Sequence, residues 1–253
     1  MRVTGVADLN SFGIVDGSCI SYSVGQFNTV FQSPRNKLFV MNFNIRSFNS
    51  NIDEFSAFLY EINQTPDIIA LTETWFSPTN IGNIPGYKAY HSTRSETQIG
   101  GGVSLFILDT LVANCYTVKA HITPELEFIH LSLRFSDPNF KILDIIGIYR
   151  PPNRGLTDEF FNSMENLLNN LGRNNDHIIL GDFNICCINP NPLQHTYLDL
   201  MRCYSMVPHI TQVTRPNHNG NNSCIDHIWS NFAFNYEAGV FNEIKITDHY
   251  MVH

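Results

Sequence analysis

The chain has 253 residues and is 43% hydrophobic and 12% aromatic, enough apolar material for one large α/β domain with a sizeable core. It holds no run near the roughly 20 apolar residues of a membrane helix, and its N-terminus lacks the basic-then-apolar pattern of a secretory signal. The formal net charge of −8 argues against tight, autonomous DNA binding, which needs a basic surface, but not against phosphodiester chemistry, because a bound divalent cation inverts the local field.

Residues 1–36 are rich in Gly, Ser and Asn, lack a sustained period, and are expected to form a weakly structured leader ahead of a domain spanning 37–253. Leu38 to Met41 reads as a strand running into Asn42-Phe43-Asn44-Ile45-Arg46. Ile52, Phe55, Leu59 and Ile62 then recur at helical spacing until Pro66 stops the helix. Asp67 to Leu71 is a second apolar strand, with Glu73 just past it. Tyr87 to Tyr90 is a short strand candidate, a polar loop runs to Ile99, and Gly100-Gly101-Gly102 opens a strand over Val103 to Leu108.

Two β-rich runs follow, Leu126 to Phe135 and Lys141 to Tyr149, around the turn signal Asp137-Pro138-Asn139. A helix from about Thr157 to Leu171 carries Phe160, Met164, Leu167, Leu168 and Leu171 on one face, with Thr157 as its expected cap. Ile178, Ile179 and Leu180 form a buried strand that ends in Gly181, and a helix follows around Leu193 to Cys203. Cys224 to Ser230 and Gly239 to Ile246 are the last strand candidates. This alternation predicts an α/β fold of two packed, mostly antiparallel sheets flanked by helices.

The six cysteines, Cys19, Cys115, Cys186, Cys187, Cys203 and Cys224, have no C-x-x-C spacing. That favours free thiols in a reducing compartment over zinc ligation. No His pair has helical ligand spacing, which argues against a zinc hydrolase. The sequons at Asn63 and Asn221 read as accidental without a secretory signal.

Polar residues recur at the ends of apolar strands: Asn44, Glu73, Tyr149, Asp182 with Asn184, Asp226, and Asp248 with His249. Such loops are where α/β folds gather functional side chains. Asp182 and Asn184, two apart in extended chain, point to one side. Each residue also has a plainer reading. Glu73 suits a solvated loop charge, Tyr149 a half-buried core aromatic, Asn44 a turn former, Asp226 a backbone cap and His249 a surface histidine.

Six ordered segments resemble the endonuclease/exonuclease/phosphatase superfamily, which has the DNase I-like four-layer fold. They are Asn44-Ile45-Arg46-Ser47-Phe48, Leu71-Thr72-Glu73-Thr74-Trp75, Ile148-Tyr149-Arg150-Pro151-Pro152, Leu180-Gly181-Asp182-Phe183-Asn184, Cys224-Ile225-Asp226-His227-Ile228 and Thr247-Asp248-His249. Within that superfamily the Asn44-x-Arg46-Ser47, Gly-Gly-Gly-Val and Tyr149-Arg150-Pro151-Pro152 wording is most similar to the endonuclease domain of non-LTR (LINE-type) retrotransposons.

The resemblance implies a Mg²⁺ site (Mn²⁺ as a substitute) with Glu73 as principal ligand, helped by Asn44 and Asp248. It implies Asp182 as the base that activates water and Asn184 as the group that holds water or a phosphate oxygen. His249, backed by Asp226, and Tyr149 would donate to the phosphate. The implied substrate is DNA, nicked on one strand to leave a 3′-hydroxyl. The implied setting is intracellular, nuclear for chromosomal targets, with no membrane partner and with a reverse transcriptase region in the full-length element. Arg94, Arg215 and His218 are the candidate phosphate contacts. Arg46 stands where abasic-site enzymes carry an acidic residue. The chain stops four residues after His249, so a closing strand is expected to be missing and His249 poorly anchored. An inactive relic or binding module, and a small-phosphoester hydrolase on the same fold, are the alternative readings.

Overall fold

Period-two alternation along one short strand sets the layers of this molecule. In β2 (Val40–Asn44) Met41 and Phe43 enter an aromatic-rich cluster with the helix α2 (Phe48–Glu61). The intervening Asn42 and Asn44 are equally buried but point to the opposite face. The next strand, β3 (Ile68–Thr72), repeats the pattern: Ile69 and Leu71 join the cluster with Phe55 and Phe58, whereas Ile68 and Ala70 join the larger core between the sheets.

The computed structural model describes residues 19–32, 37–135, 141–152, 154–217, 219–232 and 236–253. The remaining strands are β1 (Cys19–Tyr22), β4 (Tyr87–Ser92), β5 (Val103–Leu108), β6 (Cys115–Ile122), β7 (Glu127–Leu133) and β8 (Leu143–Tyr149). They continue with β9 (Asp176–Asp182), β10 (Val207–Pro208), β11 (Asp226–Ser230), β12 (Ala238–Phe241) and β13 (Met251–Val252). One sheet has the order β1-β12-β13-β2-β3-β5-β4 and the other β10-β11-β9-β8-β7-β6. Among the described residues only β1/β12, β2/β3 and β8/β9 pair in parallel, so the sheets are mixed and mostly antiparallel. The helices α1 (Val24–Val30), α2, α3 (Thr157–Asn169) and α4 (Pro192–Cys203) flank them. Phe160, Met164, Tyr197, Leu198 and Met201 bury α3 and α4 in the larger core. None of these helices is long and apolar enough to cross a membrane, and all six cysteines are free thiols.

Several expectations need correction. Within the expected leader, Cys19–Tyr22 is an edge strand paired with β12, and α1 begins in a capping box between Ser23 and Gln26. Phe27 anchors that helix at 2% exposure, while residues 1–18 lie outside the described residues. Near the expected closing strand, β13 lies between β12 and β2, pairing Val252 with Val240 and with Asn42. β6 escaped the sequence reading because it is an edge strand with Lys119 and Ala120 exposed, so its apolar signal is weak. β12 ends at Phe241 instead of reaching Ile246. α3 starts at Thr157 with Leu156 in the cap position and no side-chain capping bond, so Thr157 is its first residue and not its cap. The turn signal around Pro138 lies outside the described residues.

Candidate active site

Two neighbouring loops are zipped together by their backbones. Ile45 N–H donates to Thr72 O at 3.1 Å, Ser47 to Glu73 O at 2.8 Å and Phe48 to Thr74 O at 3.0 Å. This continues the parallel β2/β3 register and sets Asn44 beside Glu73. Arg46, Ser47, Glu73, Trp75 and Asn184 all have positive φ, which non-glycine residues adopt only under local constraint. Such strain collects at functional sites because the surrounding structure must hold it.

The opposite sheet supplies the other half. Register places Tyr149 beside Asp182 across β8/β9 and Asp226 beside Asp182 across β11/β9. The strand can bring Asp182 this close only because Gly181 precedes it: a Cβ there would collide with the Ile148 carbonyl. Asn44 bridges the halves, its Nδ2 donating to Glu73 Oε1 at 2.9 Å and to Asp182 Oδ2 at 2.8 Å. Asn184 N–H donates to Asp182 Oδ1 at 2.9 Å, and its Nδ2 reaches Arg150 O at 2.8 Å and Asp182 Oδ2 at 3.4 Å.

His249 is 4% exposed and its Nδ1 meets Asp226 Oδ2 at 2.9 Å. Thr247 locks the loop, donating to Asn44 O at 3.0 Å and accepting from His249 N–H at 3.1 Å. One potential ligand atom from each of Asp182, Asp226 and His249 lies within 4.8 Å of the others. Burial alone would lower the His249 pKa, but the Asp226 charge and hydrogen bond, with Asp182 and Asp248 behind them, raise it to about 9. Burial and the neighbouring Asp226 charge push Asp182 up to about 7 against the pull of His249, Asn184 and Asn44. Burial, then the charges of Glu73, Asp182 and Glu127, raise Tyr149 far above the usual phenol, so its hydroxyl keeps its proton.

The donor set fits a hard divalent cation. Glu73, Asn44 and Asp182 each have oxygen atoms to offer, and burial together with the Asp226 charge raises the Asp182 pKa, a strain that a bound cation relieves. Asp248 fits this set less well. Its Oδ1 takes Arg46 Nη1 at 2.9 Å and its Oδ2 takes Arg215 Nε at 2.9 Å and Nη2 at 2.7 Å.

Of the expected phosphate contacts, Arg215 stands on the rim with its side chain 44% exposed. Arg94 does not. It pairs with the fully buried Glu127, whose other oxygen takes Gly102 N–H at 2.6 Å, so this pair ties the triple-glycine loop to β7. Glu127 lies 33 positions along the chain, so local spacing does not reveal the pairing. His218 lies outside the described residues.

Three side chains with no role legible in the sequence also shape the site: Arg46, Thr214 and Arg150. Thr214 Oγ1 accepts from the backbone N–H groups of Ile225 and Asp226, at 3.0 and 3.1 Å. Arg150 is 3% exposed, lies over the Phe160 ring at 4.9 Å and donates to Asn184 O at 3.3 Å. Its backbone N–H also donates to Asp182 O at 2.9 Å. Its place in the Tyr149-Arg150-Pro151-Pro152 motif was the one available signal.

Residues 41–249 match the Endonuclease/Exonuclease/phosphatase family. No relative is found among curated proteins. Among solved structures, the 3′ phosphatase NExo from Neisseria bound to product DNA hairpin superposes with a TM-score of 0.66 at 16% identity, covering 85% of this chain and 98% of that one. The AP endonuclease LMAP from Leishmania major gives 0.66 at 12% identity, covering 98% of both chains. The endonuclease domain of TRAS1, a telomere-specific non-LTR retrotransposon, gives 0.60 at 10% identity, covering 84% of this chain and 94% of that one. At these identities the likeness speaks for the fold.

Proposed function

We infer the function from one premise: the chain belongs to the Endonuclease/Exonuclease/phosphatase family, whose members are hydrolases acting on phosphodiester bonds. We propose that it is a Mg²⁺-dependent endonuclease that nicks one strand of DNA in retrotransposition, leaving a 3′-hydroxyl. One observation carries this reading. A carboxylate raised to about 7 and a histidine raised to about 9 face each other at the ends of two packed sheets, with Glu73 linked to the carboxylate through Asn44.

Asp182 takes the proton of the attacking water, and its pKa near neutrality suits that task. Asn184 holds the Asp182 carboxylate through its backbone N–H and Nδ2, and its Oδ1 accepts from the same water. Because Asp226 engages Nδ1, the charged His249 presents Nε2–H to the phosphate as negative charge builds. Tyr149 adds a neutral hydroxyl donor. Mg²⁺ held by Glu73 and Asn44 would polarise the scissile phosphate and stabilise the leaving oxygen. Action on chromosomal DNA places the protein in the nucleus, working beside a reverse transcriptase of the same element.

Supercoiled plasmid tests the reading. The wild type with Mg²⁺ should convert it to open circle, and EDTA or Asp182→Ala should stop the conversion. A plasmid left closed by folded, metal-loaded protein rejects the endonuclease reading in favour of an inactive binding module. Turnover of an inositol phosphate in preference to plasmid would move the substrate to small phosphoesters.

A further inference from the structure

Arg46 and Arg215 come from segments 169 positions apart in sequence, yet both grip the same carboxylate, one on each oxygen of Asp248. A guanidinium carries five N–H donors. Arg46 gives one of them to Asp248 and Arg215 gives two, with their side chains 56% and 44% exposed. Both are held from behind. Arg46 N–H donates to Asn44 Oδ1 at 3.2 Å and its carbonyl accepts from Asn51 Nδ2 at 3.1 Å. Arg215 exchanges backbone hydrogen bonds with Ser223 at 2.9 and 3.0 Å.

The cavity next to this pair is lined by more cations than carboxylates. Its volume is about 570 Å³, and its lining includes Arg215, Ser223, Lys245, Thr247, Asp248 and Tyr250, among others. Arg215 and Lys245 face Asp248 among its charged lining residues, in a chain of net charge −8 with only 15 Lys and Arg, and the charges of Asp182 and Asp226 also bear on Arg215. Asp248 adjoins His249 and Arg46 follows Asn44 by two positions, so the cations border the reacting end of the site. Planar guanidinium groups fixed in place suit a phosphate diester, because little side-chain freedom is lost on binding.

We propose that Arg46 and Arg215, cross-braced by Asp248, form a subsite for a DNA backbone phosphate next to the scissile one, and that Asp248 is the brace of this subsite, not a metal ligand. The inference rests on the endonuclease reading above and specifies where the strand runs. It also gives a task to Arg46, the residue that stands where abasic-site enzymes carry an acid.

The test measures duplex oligonucleotide binding by fluorescence anisotropy in EDTA between 50 and 200 mM NaCl, alongside Mn²⁺ affinity and plasmid nicking. Arg46→Ala and Arg215→Ala should each weaken duplex binding and reduce the slope of log affinity against log salt by about 1. Their kcat at saturating DNA should stay within about threefold of wild type while KM rises. Arg215→Lys, for use if Arg215→Ala fails to fold, should weaken binding with the slope unchanged, since it keeps the charge and loses the fork. Asp248→Asn should keep Mn²⁺ affinity where Glu73→Gln loses it. Wild-type affinity and slope in both Arg46→Ala and Arg215→Ala would overturn the subsite. Equal loss of Mn²⁺ affinity in Asp248→Asn and Glu73→Gln would return Asp248 to the metal. Wild-type protein that binds duplex but never nicks would reject the endonuclease reading while leaving the subsite standing.

Discussion

At the residue scale the site works by opposing electrostatic pressures on two side chains. Asp182 is fully buried and crowded by Asp226, which favours its neutral form, while His249 is held charged by the same Asp226. On the proposed mechanism, removing Asp182 takes away the proton acceptor itself. Asp182→Ala should slow single-turnover nicking by at least about 100-fold, the usual weight of a positioned base. Asp226 acts one step back. The pKa of His249 is raised in the folded state, so its charged form is complete below about 6.5 and is lost as pH rises through about 9. Asp226→Asn removes the partner that holds the charge. The alkaline limb of the pH–rate profile should then move below 9, and an unmoved limb would show that His249 does not set it.

At the scale of elements, the three strands behind the site depend on polar groups that the core has to satisfy. Asp144 on β8 is 1% exposed and lies between His130 on β7, at 2.9 Å, and His177 on β9, at 3.2 Å, with Ser132 and Asn175 also donating. Burial opposes its charge, but these donors hold its carboxyl far below the usual range. A depressed carboxyl stabilises the fold above its unfolded value near 4 and loses that contribution as pH falls further. Asp144→Asn should cost about 1.5–3 kcal/mol in urea unfolding, the scale for losing a hydrogen bond to a buried charged group. Gly181 belongs to the same strands. Gly181→Ala forces β9 away from the Ile148 carbonyl, so this variant should lower Tm and misplace Asp182, losing nicking even at temperatures where it stays folded.

At the scale of the whole molecule, the two ends of the described chain close the aromatic layer over the seven-stranded sheet. His253 packs against Tyr22 and Phe27 with ring centroids 5.6 and 5.2 Å apart, and Gly239 brackets it with two backbone hydrogen bonds. Phe27→Ala should cost about 3–5 kcal/mol by urea unfolding, since α1 has no other fully buried side chain. Three buried histidines also make the fold acid-sensitive as a unit. Burial lowers His209 and His227 to about 4 and His253 to about 3. Below about pH 6.5 the unfolded chain takes up protons that these rings refuse, so stability should fall steadily from pH 6.5 toward 4. A Tm that stays flat over that range would mean these histidines charge freely in the folded state.

Much of this molecule was legible before any coordinates. Strand ends such as Leu180-Gly181-Asp182 are written in short-range chemistry: an apolar run, a glycine where the backbone must pass close, and a polar residue after it. Those local rules give most of the strands, the helices α2 to α4 and the candidate polar residues at strand ends, because each depends on neighbours within a few positions. They also missed what depends on distant partners. Cys19–Tyr22 is a strand only because β12 offers an edge, and β13 is a strand only because β12 and β2 leave a gap for it. The same limit separates Arg94 from Arg215. In sequence both are loop cations, but folding pairs one with the buried Glu127 and leaves the other on the rim beside Arg46. Sequence determined which side chains this protein owns and which strand ends present them; tertiary structure alone decided their partners, because charge pairing acts through space and not along the chain.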